Sequence, residues 1–325
     1  MIVAKPLCSL SLDLDNQWSY MKTHGDAGWE SFPSYLDVVV PRFLEALDRR
    51  GLKITVFVVG QDAALERNHA AIRSLVAAGH EVGNHSFRHE PWLHLYKDAE
   101  IEDEIARAEQ AIETVTGQRP RGFRGPGYSL SRSTLAILAR RGYLYDASTL
   151  PTYLGPLARA YYFLTSRLEN EEKEQRKQLF GSWRDGLRPV KAYRWQLDDA
   201  QLLEVPVTTM PLFKLPFHFS YLLYIATYSP ALAVFYFRVA LRLCRLSGTE
   251  PSLLLHPLDF LGLKDVPELA FFPAMKLDAA RKLTLLDRAF RVLSASHTVV
   301  PLGEHAARLQ QDPRLAVRTP SALGI

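Results

Sequence analysis

The sequence predicts an α/β fold of parallel strands joined by right-handed crossovers, in a barrel or a doubly wound sheet. Three observations predict it. Across residues 7–146, short β-branched or leucine-rich runs alternate with stretches of helical period. Several of the runs, such as Lys53 to Val59, are continuously apolar, as parallel strands buried on both faces are. Asp13, Asp15, His85, His89, Arg124 and Asp146 all fall at or just after the end of such a run. That edge is where parallel folds carry their chemistry.

Taken in order, Leu7 to Leu14 is a buried strand ending in the two aspartates. An aromatic- and Gly-rich loop is expected from Asn16 to Pro33. Ser34 to Arg50 has its apolar residues at helical spacing and stops at Gly51. Lys53 to Val59 is the second strand, and a helix follows to Ala78, with Gly79 as its stop. Glu81-Val82 leads into the segment Gly83 to His89. Asp98 to Gly117 is a charged amphipathic helix. Arg121 to Phe123 is a short strand opening onto Arg124-Gly125-Pro126-Gly127. A helix from Ser131 to Gly142 and a strand over Tyr143 to Asp146 complete this half. From Leu150 the alternation fails, and Glu169 to Lys177 reads as a solvated charged helix or loop. Leu202 to Val207 resumes strand character. Leu212 to Leu246 is the most apolar part of the chain. Ser252 to Leu255 is a last central strand ending at His256, Ala274 to Leu293 a helix and Thr298 to Leu302 a short strand. The tail beyond Arg308 is expected to be loose.

The 325 residues are read as one domain, with insertions in 151–250. Apolar content is 47% and charged content 23%, ordinary for a globular protein. A formal charge of +4 without a Lys/Arg run argues against a nucleic-acid partner. Cys8 and Cys244 form no CxxC and no disulfide framework. The N-terminus has no signal-peptide pattern, so a cytoplasmic location is expected. Nothing in the sequence commits the chain to an oligomeric state.

His85 and His89 are four residues apart, about one helical turn, so both rings can lean over one point. Histidines also fall at this spacing by chance, and the chain has ten. A carboxylate from Asp13 or Asp15 gives the pair its meaning. These two lie two apart on extended backbone and share a face, and close carboxylates need a nearby cation. Asp15, His85 and His89 form a two-His, one-carboxylate set with open positions. Zinc suits it, as do cobalt, nickel or manganese. Such an ion lowers the pKa of its water to about 7 and polarises a carbonyl, and Asp13 is placed beside that water as general base. Arg124 can hold Asp13 ionised through a forked hydrogen bond. Gly125-Pro126-Gly127 lets backbone approach a ligand, and the Gly127 or Tyr128 amide can donate to an oxyanion. His256, ending an all-leucine strand, is a candidate general acid, with Asp146 or Asp259 as its carboxylate partner.

Five segments in this order resemble the motifs of the polysaccharide deacetylase family with the NodB-homology domain. They are Ser11-Leu12-Asp13-Leu14-Asp15, His85-Ser86-Phe87-Arg88-His89, Arg124-Gly125-Pro126-Gly127-Tyr128, Asp146-Ala147-Ser148 and Leu253-Leu254-Leu255-His256. The resemblance implies a distorted (β/α) barrel and metal-dependent hydrolysis of an N-acyl group on a sugar. It implies Asp13 as base, Asp15, His85 and His89 as metal ligands and Arg124 as orienter of the base. It further implies Gly127 at the oxyanion position and His256 as acid. The aspartates are separated by Leu14 rather than adjacent. This spacing resembles the branch containing the undecaprenyl-phosphate formamido-arabinose deformylase.

Phe219 to Phe237 carries no charge, but Pro230 divides it, and a single span would separate the strands on either side. Residues 212–246 are a candidate helical hairpin. Arg238, Arg242 and Arg245 share one face with apolar residues opposite, the pattern of a helix lying in a membrane interface. A helical pair packed on the barrel, or a dimer contact, is the alternative. The expected function is N-deacylation, acetyl removal first, of a carbohydrate or lipid-linked sugar at the cytoplasmic membrane face. Two rivals are hydrolysis of another C–N bond in a small amide or cyclic imide, and a non-catalytic glycolipid-binding barrel.

Overall fold

The structure is a computed structural model and describes residues 5–157, 160 and 183–325. The charged run Glu169 to Lys177 lies outside them. Among the described residues ten strands form one sheet: β1 Leu7–Leu14, β2 Thr55–Val58, β3 Glu81–Asn84, β4 Gly122–Phe123, β5 Tyr145–Asp146, β6 Tyr193–Gln196, β7 Gln201–Glu204, β8 Ser252–Leu255, β9 Thr298–Val300 and β10 Val317–Arg318. The order is β10-β6-β7-β5-β4-β3-β2-β1-β8, and β9 pairs with the first residues of β1. From β8 through β1 to β7 every pairing is parallel; only β6 runs antiparallel to its neighbour β7.

The sheet curls until its β8 edge reaches the segment just past β7. Thr208, just past β7, donates its amide to the Ser252 carbonyl at 2.8 Å, and the Ser252 amide donates to Thr208 Oγ1 at 2.8 Å. Among the described residues the expected barrel is thus joined through Thr208 and Ser252, with no ladder between β7 and β8.

The crossovers are α2 Leu36–Asp48, α4 His69–Ala77, α5 Asp98–Thr116, α6 Arg132–Arg140, α8 Pro230–Ser247 and α9 Ala279–Ser296. Shorter helices are α1 Gln17–His24, α3 Gly60–Ala64, α7 Phe219–Ala226 and α10 Leu302–Leu309. The largest core cluster joins leucines of β1 and β8 to Val39, Val40 and Phe43 of α2 and to Phe237, Leu241 and Cys244 of α8.

Four expectations need correction. The 16–33 loop contains α1, capped by the Asn16 side chain and closed by left-handed Gly25. The tail is ordered: Leu302 begins a helix, and Val317–Arg318 pairs with β6. Residues 193–196, where no strand is expected, form β6. The fourth concerns α8, which is the β7–β8 crossover itself. Its face opposite the arginines (Ala233, Phe237, Ala240, Leu241, Cys244) is buried against the protein, because a crossover helix must cover the sheet. A helix resting that apolar face in lipid is not what the fold presents. Among the described residues no helix is long and apolar enough to cross a membrane.

Candidate active site

Asp13 is the last residue but one of β1 and Asp15 follows the strand, both buried. Asp15 Oδ1 lies 3.2 Å from His85 Nε2 and 3.0 Å from His89 Nε2. Asp15, His85 and His89 offer ligand atoms within 4.8 Å of one another. The convergence is not made by a helical turn, as the spacing suggests. Residues 85–89 are non-helical, and Ser86 (φ 59°) and His89 (φ 52°) adopt left-handed backbone. These reverse bends after β3 fold the second imidazole back onto the first.

The donor set fits a divalent ion. His85 Nδ1 lies 2.6 Å from the Arg124 carbonyl, which can only accept, so Nδ1 carries the proton and the Nε2 lone pair is free for a metal. Burial alone would lift the Asp15 carboxyl, but the charges and hydrogen bonds of His89 and His85 hold it well below the usual carboxylate range. Burial likewise works against a charged His85, and Asp13 and Asp15 outweigh it and raise its pKa.

Glu104 of α5 fixes the histidine loop. Its Oε2 accepts from the Phe87 amide at 3.1 Å and the Arg88 amide at 2.8 Å, both between the two histidines. Sequence reasoning missed it because it sits among the acids of a charged helix. Glu104→Ala is expected to weaken zinc binding about 10–100-fold, read by competition with a chromogenic chelator. Unchanged affinity would separate the loop from ion binding.

Arg124, at the end of β4, is fully buried. Its Nη1 donates to Asp13 Oδ1 at 2.7 Å and to Ser11 Oγ at 2.9 Å, and its Nε donates to the Ala147 carbonyl at 2.9 Å. The Phe57 ring lies 4.5 Å from the guanidinium carbon. The expected Arg124–Asp13 pair is thus present, through one nitrogen rather than a two-pronged fork. Beyond it, a β-carbon at Gly125 would meet the Ser129 carbonyl oxygen at 2.1 Å, and Gly127 has φ 57°. The Tyr128 amide donates to the Gly125 carbonyl at 3.0 Å. Of the two expected oxyanion donors, the Gly127 amide is the one without an acceptor among the described residues.

Asp146 does not reach His256. It accepts from the Ser148 hydroxyl, whose oxygen takes the Gly125 amide at 2.8 Å. Across the β5–β7 pair it faces Glu204, which sequence reasoning missed. Thr149 and Trp195 donate to Glu204. Asp146 therefore positions the Gly125–Gly127 turn from below. Burial, then the Asp146 charge, push the Glu204 carboxyl well above its ordinary value. Burial also raises Asp146, against hydrogen bonds from Glu204 and Ser148.

With both folded values raised, the native protein keeps protons that the unfolded chain releases. The stability they contribute is full below the unfolded values and is lost as pH rises through the folded ones. Glu204→Gln has no proton to lose and can still donate to Asp146. It is expected to flatten the fall of the urea midpoint above pH 4.5, the ordinary glutamate value. That fall is at most about 1.4 kcal/mol per pH unit for one proton; an identical slope in the variant would refute the assignment.

His256 sits one step past the Leu12–Leu255 pair, beside Asp13 on the neighbouring strand. Of the two expected carboxylates, Asp259 is the nearby one, but its Oδ2 accepts the His256 backbone amide at 2.9 Å rather than a ring nitrogen. The ring's contact is Ser220 of α7, whose hydroxyl lies 3.1 Å from His256 Nδ1. Burial lifts the Asp259 carboxyl against the pull of His256 and Ser220.

A family model described as polysaccharide deacetylase matches residues 26–145, taking in the histidine pair and Arg124 but not Asp13, Asp15 or His256. A peptidoglycan deacetylase-like protein of Gibberella zeae is 34% identical over 113 residues, 34% of this chain and 32% of the relative. The peptidoglycan deacetylase of Helicobacter pylori is 29% identical over 169 residues, 50% of this chain and 55% of the relative. The chain thus spans about a third and about half of these two curated relatives. A crystal structure from Mycobacterium smegmatis, assigned as a polysaccharide deacetylase, superposes with a TM-score of 0.62. It is 22% identical and the match covers 98% of this chain and 96% of that one, a likeness of fold. Over residues 26–145 the chain is therefore similar to polysaccharide deacetylases, and both relatives bear the name of peptidoglycan deacetylases or of proteins like them.

Proposed function

We propose that the chain is a metal-dependent hydrolase that removes an N-acyl group, acetyl first, from a sugar. One observation carries this reading: Asp15, His85 and His89 converge on one point while Arg124 holds Asp13 beside them. A divalent ion, with zinc the best match to the donors, would polarise the acyl carbonyl and acidify the attacking water. The remaining steps belong to this chain's side chains. Asp13 takes the water proton as the water oxygen bonds to the acyl carbon. The Gly127 amide donates to the oxygen that gains charge. The C–N bond then breaks, and His256 gives its proton to the departing nitrogen, leaving a carboxylic acid and an amino sugar. Ser220 keeps the His256 ring turned for this, and Asp259 holds its backbone.

The finer reading is a lipid-linked sugar at the cytoplasmic membrane face. Tyr224, Tyr228, Leu232, Phe235 and Leu246 are exposed along α7 and α8, on the same outward side as Arg238, Arg242 and Arg245. This strip begins at the helix whose first turn reaches the site. Apolar and cationic side chains together suit an acyl or polyprenyl tail beneath a phosphate.

The test is acetate release by the zinc-loaded chain from tetra-N-acetylchitotetraose and from a polyprenyl-phosphate N-acetyl sugar in vesicles. Release is expected from both, faster from the second, lost on dialysis against a chelator and restored by zinc. No release from either by metal-loaded protein would end the deacylase reading. Equal rates would end the lipid one.

A further inference from the structure

The connection that enters α7 brings a second imidazole to the site. His218 precedes α7, is 5% exposed, and its ring lies 5.8 Å from that of His256 and 4.7 Å from that of Tyr221. His218 Nδ1 is buried and has no hydrogen-bond partner among the described residues. Buried polar atoms are rarely left so, because an unmade hydrogen bond costs the full desolvation of the group. Two residues on, Ser220 already serves His256. One short stretch of the β7–β8 connection therefore supplies both a support for the acid and an unused polar atom beside it.

We propose that His218 is a substrate-contact residue, its Nδ1 hydrogen-bonding a ring hydroxyl next to the scissile N-acyl group. The proposal rests on the deacylase reading above for the identity of the ligand. A hydroxyl suits the position, since it can meet either tautomer of a neutral imidazole. Neutrality is what the surroundings impose: burial first, then the charges of His256 and Arg124, hold the His218 pKa well below the ordinary value. A neutral ring adds no second cation next to the acid. It discriminates by hydrogen bonding, which a pocket does more sharply than by apolar fit.

The experiment measures calorimetric binding of tetra-N-acetylchitotetraose to the zinc-loaded full chain, alongside acetate release. His218→Phe keeps an aromatic ring without the nitrogen and is expected to weaken binding roughly 10-fold. His218→Asn places a polar atom near the Nδ1 position and is expected to recover most of the loss. His218→Gln reaches the Nε2 position instead and should not. Should the Phe variant fail to fold, the Asn and Gln pair carries the same comparison. A general packing role would make binding follow the unfolding midpoint, not the position of the polar atom. Equal affinity in wild type, Asn and Gln forms would overturn the contact, as would no binding by wild type. Binding without acetate release would overturn the deacylase reading and leave the His218 comparison intact.

Discussion

Asp13→Asn is expected to cut acetate release about 10²–10⁴-fold while zinc stays bound. The substitution keeps an oxygen for Arg124 to donate to at the 2.7 Å contact, so the local packing is preserved. What it removes is the lone pair able to take a proton. The ligand set Asp15, His85 and His89 is untouched, so the metal content of the variant should match wild type by elemental analysis. The measurement is kcat together with zinc stoichiometry. An unchanged kcat would remove Asp13 as the base. A lost kcat with lost zinc would instead show Asp13 holding the ion in place. A non-catalytic binding barrel would release no acetate in either form.

Arg124→Leu is expected to have the largest effect on stability, about 3–5 kcal/mol. The guanidinium is fully buried, and the Asp13 carboxylate it serves is only 5% exposed. Without the cation, that carboxylate is left in a low-dielectric site with no charge to balance it. Asp13 also loses the donor that orients it, so activity should fall with stability. Arg124→Lys restores charge but not the Nε bond to the Ala147 carbonyl, and should fall between the two. Urea midpoints at pH 7 read the loss. A Leu variant as stable as wild type would show that the pair carries no weight.

The first half of the barrel and most of the site are legible in the sequence because strand ends and chemistry coincide there. Asp13, His85 and Arg124 each follow an apolar run, and a parallel sheet gathers such positions at one edge. The parts that escaped have physical reasons. Helix α1 buries Trp18, Tyr20 and Met21 on different sides, so it shows no one-faced period. Strands β4 and β5 are two residues each, and β6 is four. Only pairing across the sheet defines them. Glu204 reads as one polar residue in an apolar run until the sheet sets it opposite Asp146. His218 and Ser220 belong to a segment whose apolar character drew attention to lipid. Part of that character is simply what a crossover helix buries.

The junction at Thr208 and Ser252 has a consequence for how relatives can diverge. The candidate ligand residues come from positions 15–89 and the proposed proton donor is at 256, while the connection that carries His218 and Ser220 leaves an edge where, among the described residues, no ladder joins β7 to β8. Segments can lengthen, shorten or exchange at that seam without disturbing a strand pair. A barrel built this way can recruit new guests by rewriting one connection, while the hydrolytic apparatus beneath stays as it was.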